Sequence, residues 1–295
     1  MSKRNYCAMA LILCVSLSIN RSINGFAKDQ GLTAEQVVAG HLKIIGSPEV
    51  LAAIKSRAFV GTSSVDFIQG MSGNMSGTSM FVSEGKKLAI VLKYADLNYP
   101  GEYFAYDGKD VSVGYMSPGQ KSPIADFLFR NNGLIKEGLL GGVLSGAWPL
   151  LDLKNRQVEL KCRETSVDGR RLYEIEYIPK NRLADMKIKM YFDPDTFHHV
   201  RTEYQMRIRD DMSASPGGPS SGGFILREGL PDSIYVLIEN FSDFKKAGEM
   251  ILPHSYTIDY SVEGQGHTFI AKWNVKAGQW DFSRTYDERI FKAQK

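Results

Sequence analysis

Val200-Arg201-Thr202-Glu203-Tyr204-Gln205-Met206-Arg207-Ile208 alternates strictly between a mainly apolar face and a polar, charged one. Successive side chains of an extended chain point to opposite sides, so the pattern predicts a strand with one dry and one wet face. The same period of two recurs along the chain in both directions. Leu88, Ile90, Leu92 and Tyr94 share a face, and so do Met186, Ile188, Met190 and Phe192, opposite Lys187, Lys189 and Tyr191. Tyr256, Ile258, Tyr260 and Val262 repeat it, as do Phe269, Ala271, Trp273 and Val275. Asp107-Gly108 and Asp168-Gly169 supply hairpin turns. Asp193-Pro194-Asp195-Thr196, Glu263-Gly264-Gln265-Gly266 and Ala277-Gly278 read as looser loops. Roughly a dozen strand candidates at this spacing predict an antiparallel barrel or a strongly curved sheet. The chain shows neither repeated βαβ units nor a solenoid or propeller period.

Helical signals are confined to two places. Near the start, Thr33 can cap a helix whose Val37, Val38, His41, Leu42 and Ile45 recur at helical spacing up to Gly46. Pro48 opens a second, short helix with Val50, Leu51 and Ile54 on one side. The other place is 123–151, which carries Ile124, Phe127, Leu128, Leu134, Ile135, Leu139, Leu140, Val143, Leu144 and Trp148. It is apolar nearly all round, but too short and too broken by Gly and Pro for a membrane span. Such a segment over a dry sheet face can simply be core; the sharper reading is a mobile cover, since glycines at 133, 138, 141, 142 and 146 suit a cover that opens better than a rigid core helix. The segment 210–223 is rich in Gly, Pro and Ser and reads as a mobile surface loop inserted in one sheet.

The 295 residues are 43% hydrophobic and 23% charged, which excludes a disordered chain, and 28 Gly, 11 Pro and 3 Cys exclude collagen-like and disulfide-dense ones. Residues 1–27 read as a cleaved secretory leader: Lys3 and Arg4, an apolar run from Cys7 to Val15, and small residues at Gly25 and Ala27. Leu13 stands before Cys14 where a lipoprotein signal has a small residue, which argues against lipidation there. Cys7 and Cys14 leave with the leader, so the mature chain, 28–295, keeps only Cys162 and has no internal disulfide. The formal charge of +3 also belongs to the leader, because Lys3, Arg4 and Arg21 are basic and 1–27 holds no acid. The remaining chain balances its charges. Arg201, Arg207 and Arg209, interrupted by Glu203 and Gln205, form a solvated outer face, and no nucleic-acid partner is expected.

Catalytic patterns are thin. The histidines, His41, His198, His199, His254 and His267, form no His-x-x-x-His with a glutamate between. His198 and His199 are neighbours on a hairpin and point to opposite faces, which is poor geometry for a shared metal. Gly77-Thr78-Ser79-Met80-Phe81 and Gly61-Thr62-Ser63-Ser64 lack the strand-to-helix context of a nucleophile elbow. The Gly70–Gly77 stretch opens no helix and ends in no Lys-Ser/Thr, so it reads as a turn region. No metal and no cofactor is expected. A hydrolase would need His199, His254 and a carboxylate brought together by folding.

The order of elements resembles the LolA-like superfamily of periplasmic outer-membrane lipoprotein carriers and their relatives. The resemblance rests on the leader, on the N-terminal helix followed by Gly46 and Pro48-Glu49-Val50-Leu51-Ala52-Ala53-Ile54-Lys55, and on the strand Phe59-Val60-Gly61-Thr62. Tyr103-Phe104-Ala105-Tyr106-Asp107-Gly108-Lys109, Met190-Tyr191-Phe192-Asp193-Pro194-Asp195-Thr196 and Ile251-Leu252-Pro253 extend it. It implies a mainly β chain folded as one unclosed antiparallel barrel of roughly 11 strands, its concave side covered by helices. It further implies a monomeric, non-catalytic periplasmic protein that holds a lipid or lipoprotein acyl chain. Leu128, Leu139, Leu140, Val143, Leu144 and Trp148 are the expected cover near 123–148, and Met190, Phe192, Tyr204 and Met206 the expected sheet wall. The alternative is an envelope sensor on the same fold whose apolar segment docks a protein partner.

Overall fold

The computed structural model describes residues 31–180, 183, 186–208, 232–264 and 267–293. The leader and the 210–223 loop lie outside the described residues. Helix α1 (Ala34–Ile45) begins at Thr33, whose side chain accepts from Gln36 N while Gln36 returns the bond to Thr33 N. This reciprocal capping satisfies amides that a helix start otherwise leaves open. Val37, Val38, His41 and Ile45 are its buried side, as their spacing predicts. Ser47 caps α2 (Pro48–Ala53).

Twelve strands follow: β1 (Ser56–Gln69), β2 (Gly73–Glu84), β3 (Lys87–Tyr94), β4 (Gly101–Tyr106), β5 (Val111–Val113), β6 (Val158–Val167), β7 (Arg170–Pro179), β8 (Lys187–Phe192), β9 (His199–Ile208), β10 (Ser233–Ala247), β11 (Met250–Gly264) and β12 (His267–Phe282). They form one antiparallel sheet in the order β5-β4-β3-β2-β1-β12-β11-β10-β9-β8-β7-β6. Two meanders therefore meet at the β1–β12 pair, and β5 and β6 stand at opposite edges. The chain joining those edges, 114–157, contains the apolar segment 123–151. With its two ends tied to opposite edges, this stretch covers the sheet's dry face, which the sequence pattern alone does not dictate.

The alternating faces hold over most of these strands, but β9 departs at both ends, where Val200 is only half-buried beside a buried His199 and Ile208 is exposed. Leu88, Ile90, Leu92 and Tyr94 are buried, as are Ile188, Met190 and Phe192, and Phe269, Ala271, Trp273 and Val275. Tyr191, expected outside, is buried too. It lies against Arg201 and within hydrogen-bond reach of Glu203, so polar side chains cover it. Hairpins turn at Asp107-Gly108 and Asp168-Gly169, and Asp193 stabilises its turn by accepting from Asp195 N and Thr196 N.

Three expectations need correction. Ala277-Gly278 is not a loop but lies inside β12, at a register shift opposite Val60 and Gly61. A side chain on Gly61 would meet Lys276 O at 1.9 Å, so the close approach requires glycine there. The Gly70–Gly77 stretch turns only over its first residues, and from Gly73 it is strand. The covering segment is helical only in part. Helices α3 (Pro123–Arg130) and α4 (Gly133–Lys136) give way at Gly138, and 3-10 turns at Gly142–Leu144 and Pro149–Asn155 follow. Gly141 and Gly142 take positive φ of 83° and 47°, and so break the helical path.

Candidate functional site

All six expected cover residues, Leu128, Leu139, Leu140, Val143, Leu144 and Trp148, are buried, and so are Met190, Phe192, Tyr204 and Met206. The fold brings all ten into one continuous apolar cluster between cover and sheet. None of them lines the cavity that Arg57 borders. That cavity, about 720 Å³, lies beside them, between α1, α2 and the turn at Gly146–Leu151. Leu42, Leu51, Ile54 and Leu151 wall it, Lys43 stands on its border, and Arg57 of β1 reaches it from the sheet.

Arg57 is 2% exposed, and burial pulls its pKa down to about 10. Its Nη1 donates to Val143 O of the cover at 2.9 Å. Among the described residues no carboxylate pairs with it.

The cover is clasped to the sheet at several further points. At its near end Ser122 caps α3, accepting from Ala125 N and donating to Glu102 Oε2 of β4 at 2.8 Å. Glu102 Oε1 accepts from Tyr99 at 2.6 Å, and Trp273 Nε1 donates to the Tyr99 oxygen. At its far end Glu239 of β10 accepts from Gly141 N at 2.7 Å and from Tyr256 at 2.5 Å, both on Oε1, and its Oε2 lies 2.8 Å from the Tyr204 hydroxyl. That same hydroxyl is 2.9 Å from Leu139 O. Gly146 N donates to Ser83, and Arg156 holds Glu137 and Ala147 O. Burial raises both Glu102 and Glu239 from the ordinary carboxylate range to about 7.

Behind the far end lies a polar cluster inside apolar surroundings. His41 Nδ1 binds Phe197 O at 2.9 Å, His199 Nε2 meets Thr202, and the two rings pack with Trp148 and Phe192. Burial lowers His41 to about 3 and His199 well below its usual value, so both rings are neutral. His198, just before β9, instead stacks on Phe244 and is apart from the His41–His199 cluster. His254 binds Leu252 O and Trp280. His199 and His254 thus have separate partners, and the hydrolase cluster does not assemble. Among the described residues no three His, Cys, Asp or Glu are placed to hold a metal ion, and no helix is long and apolar enough to cross a membrane. Cys162 is half-buried, and burial raises its thiol pKa.

Sequence reading assigned Arg57 no role, and it missed Glu102 and Glu239. A signal for the two acids was present: Glu102 alternates with Phe104 and Tyr106, and Glu239 with Leu237 and Phe241, each an acid on a dry face.

No family model matches the chain, and no curated protein does. Among solved structures it is similar to a LolA superfamily protein, NE2245, from Nitrosomonas europaea. Identity is 14%, the TM-score 0.42, and 88% of this chain and 97% of that one are covered. It is also similar to the MucA/MucB complex of Pseudomonas aeruginosa, at 10% identity and TM-score 0.21, covering 84% and 99%. A further match is MucB in complex with MucA(peri), at 11% identity and TM-score 0.19, covering 75% and 89%.

Proposed function

We propose that the protein is a periplasmic carrier, exported by the leader at 1–27, that binds the acyl chain of a lipid or lipoprotein without catalysing a reaction. The observation that carries this reading is the cavity beside Arg57. Its volume falls in the range of about 300–1,000 Å³ typical of small-ligand sites, and apolar walls with few polar groups are what such sites use. A buried guanidinium without a carboxylate partner is costly on its own, and a ligand head group with acceptor oxygens offsets that cost. Because Arg57 also holds Val143 O, a ligand that engages the guanidinium competes with a clasp of the cover. Leu128, Leu139, Leu140, Val143, Leu144 and Trp148 then act as the moving cover, and Met190, Phe192, Tyr204 and Met206 as the wall they leave. Opening exposes that wall, so the cavity can lengthen toward it. The 28–295 chain works as one domain.

Organic extraction of the purified protein followed by mass spectrometry is expected to yield fatty-acyl species. A fluorescent fatty acid is expected to bind, and Leu42→Trp, which fills the cavity, to weaken it tenfold or more. A protein that extracts clean and takes up no probe overturns the reading. Retention of one envelope protein without lipid in a pull-down supports instead the sensor that docks a protein partner.

A further inference from the structure

Two carboxyls are buried under the cover, but only one sits where a single hydroxyl faces both a carboxylate oxygen and a cover carbonyl. Tyr204 has one hydroxyl hydrogen and two acceptors in reach, Glu239 Oε2 at 2.8 Å and Leu139 O at 2.9 Å. We propose that Glu239 and Tyr204 form a proton-set latch on the cover, which holds it at two points when the carboxyl is protonated and at one when it is not.

The argument is a count of hydrogens. With a proton on Oε2, Glu239 donates to the Tyr204 oxygen, Tyr204 donates to Leu139 O, and Oε1 accepts from Gly141 N and Tyr256. Every donor then has an acceptor, and the cover is held at Leu139 and at Gly141. Without that proton, the Tyr204 hydrogen is drawn to the anionic oxygen, because a charged acceptor makes the stronger bond. Leu139 O keeps only its contact from Gly142 N, at 3.2 Å, and the cover is held from this side at Gly141 alone. The remaining carboxylate is a buried charge with three neutral neighbours and no cation among them. Opening the cover lets water reach it, so ionisation favours the open state.

The groups facing Glu239 are few. Tyr204 comes from β9 and Tyr256 from β11. His199 of β9 packs on Phe241, the next inward residue of its own strand, and His41 of α1 stands behind His199. Both imidazoles are held neutral by burial. The cover presents only backbone here, since Gly138–Val143 has no titratable side chain, and Arg57 reaches Val143 O from β1 as a constant charge. Glu102 is also pushed to about 7, but it contacts the cover elsewhere, at Ser122. Its effect is therefore separable by position. That the latch governs ligand exchange rests on the carrier reading, whereas its hold on the cover does not.

The test is amide hydrogen exchange of the purified protein between pH 5 and 8, corrected for the intrinsic rate. Protection of Gly141–Leu144 is expected to fall on the order of tenfold to a hundredfold as pH rises, since the open state gains a normally ionising carboxyl. Glu239→Gln, which donates through its amide as the protonated acid does, is expected to stay protected throughout. Tyr204→Phe is expected to show the wild-type pH 8 level already at pH 5. A wild-type profile that is flat with pH overturns the latch, as does Glu239→Gln with an undiminished slope. If Glu239→Gln does not fold, the wild-type and Tyr204→Phe profiles decide. A second arm follows release of a fluorescent acyl ester, whose charge is constant with pH, and release is expected to quicken over the same range. Absence of ester binding with the exchange profile intact overturns the carrier reading alone.

Discussion

Glu102 and Glu239 lie at opposite ends of one cover, both buried and both pushed to about 7 by burial, yet they are built for opposite protonation states. Glu102 receives one hydroxyl hydrogen on each oxygen, from Tyr99 and from Ser122. Each donor has its own oxygen on an ionised carboxylate, and a proton on Glu102 competes with the Tyr99 hydrogen at Oε1 or with the Ser122 hydrogen at Oε2. At Glu239 the second hydroxyl has a competing carbonyl, so the proton lets both acceptors be served and its loss gives up the bond to Leu139 O. Burial shifts both acids alike. The number of hydrogens and acceptors around each decides which form fits.

The largest effect separates packing from polar clasps. Trp148→Ala, in the far part of the cover, is expected to cost about 3–5 kcal/mol in chemical denaturation, because it empties a fully buried site. A loss under about 1 kcal/mol shows that this part of the cover is not packed as described.

Glu239→Gln sharpens the comparison through pH. A carboxyl raised from 4.5 to about 7 keeps its proton in the native state while the unfolded chain releases it. Its contribution is therefore fully present below pH 4.5, falls as pH rises, and is gone above pH 7. The variant is expected to be up to about 3 kcal/mol more stable than wild type at pH 8 and close to it at pH 4.5. Equal stability at both pH values refutes the assignment. His41 acts in the other direction: lowered from 6.5 to about 3, it costs stability as pH falls from 6.5 toward 3. From these groups, wild-type stability is thus expected to decline as pH rises from 6.5 to about 7 and as it falls below 4.5, with opposing slopes between, as read by thermal melts across pH.

The same exchange at the near end should behave differently. Glu102→Gln puts an amide where two hydroxyl donors converge and is expected to destabilise by about 1–3 kcal/mol at pH 7, where Glu239→Gln does not. Similar losses for both variants erase the contrast. Ser122→Ala is the smallest step, expected to cost about 1 kcal/mol through the lost cap of α3 and to leave the exchange of Gly141–Leu144 unchanged.

Much of the fold was legible in the residues. The alternation of Val200–Ile208 and its counterparts determines which side chains face inward, because an extended chain has a period of two and water sorts the faces. Thr33, Ser47 and Pro48 mark helix starts by chemistry that acts within three residues. The apolar run at 123–148 announced a covering segment, since nothing so uniformly apolar stays in water. Local sequence did not disclose the strand order, which sets β5 and β6 at opposite edges and lays that run across the sheet. Nor did it disclose the meeting of Glu239 with Gly141, 98 residues apart, or of Arg57 with Val143, 86 apart. Those contacts depend on long-range pairing, and only the assembled sheet decides which buried acid meets which hydroxyl. An acid on a dry face was visible in the sequence by itself. Whether it holds a proton is a property of the neighbours that folding brings to it.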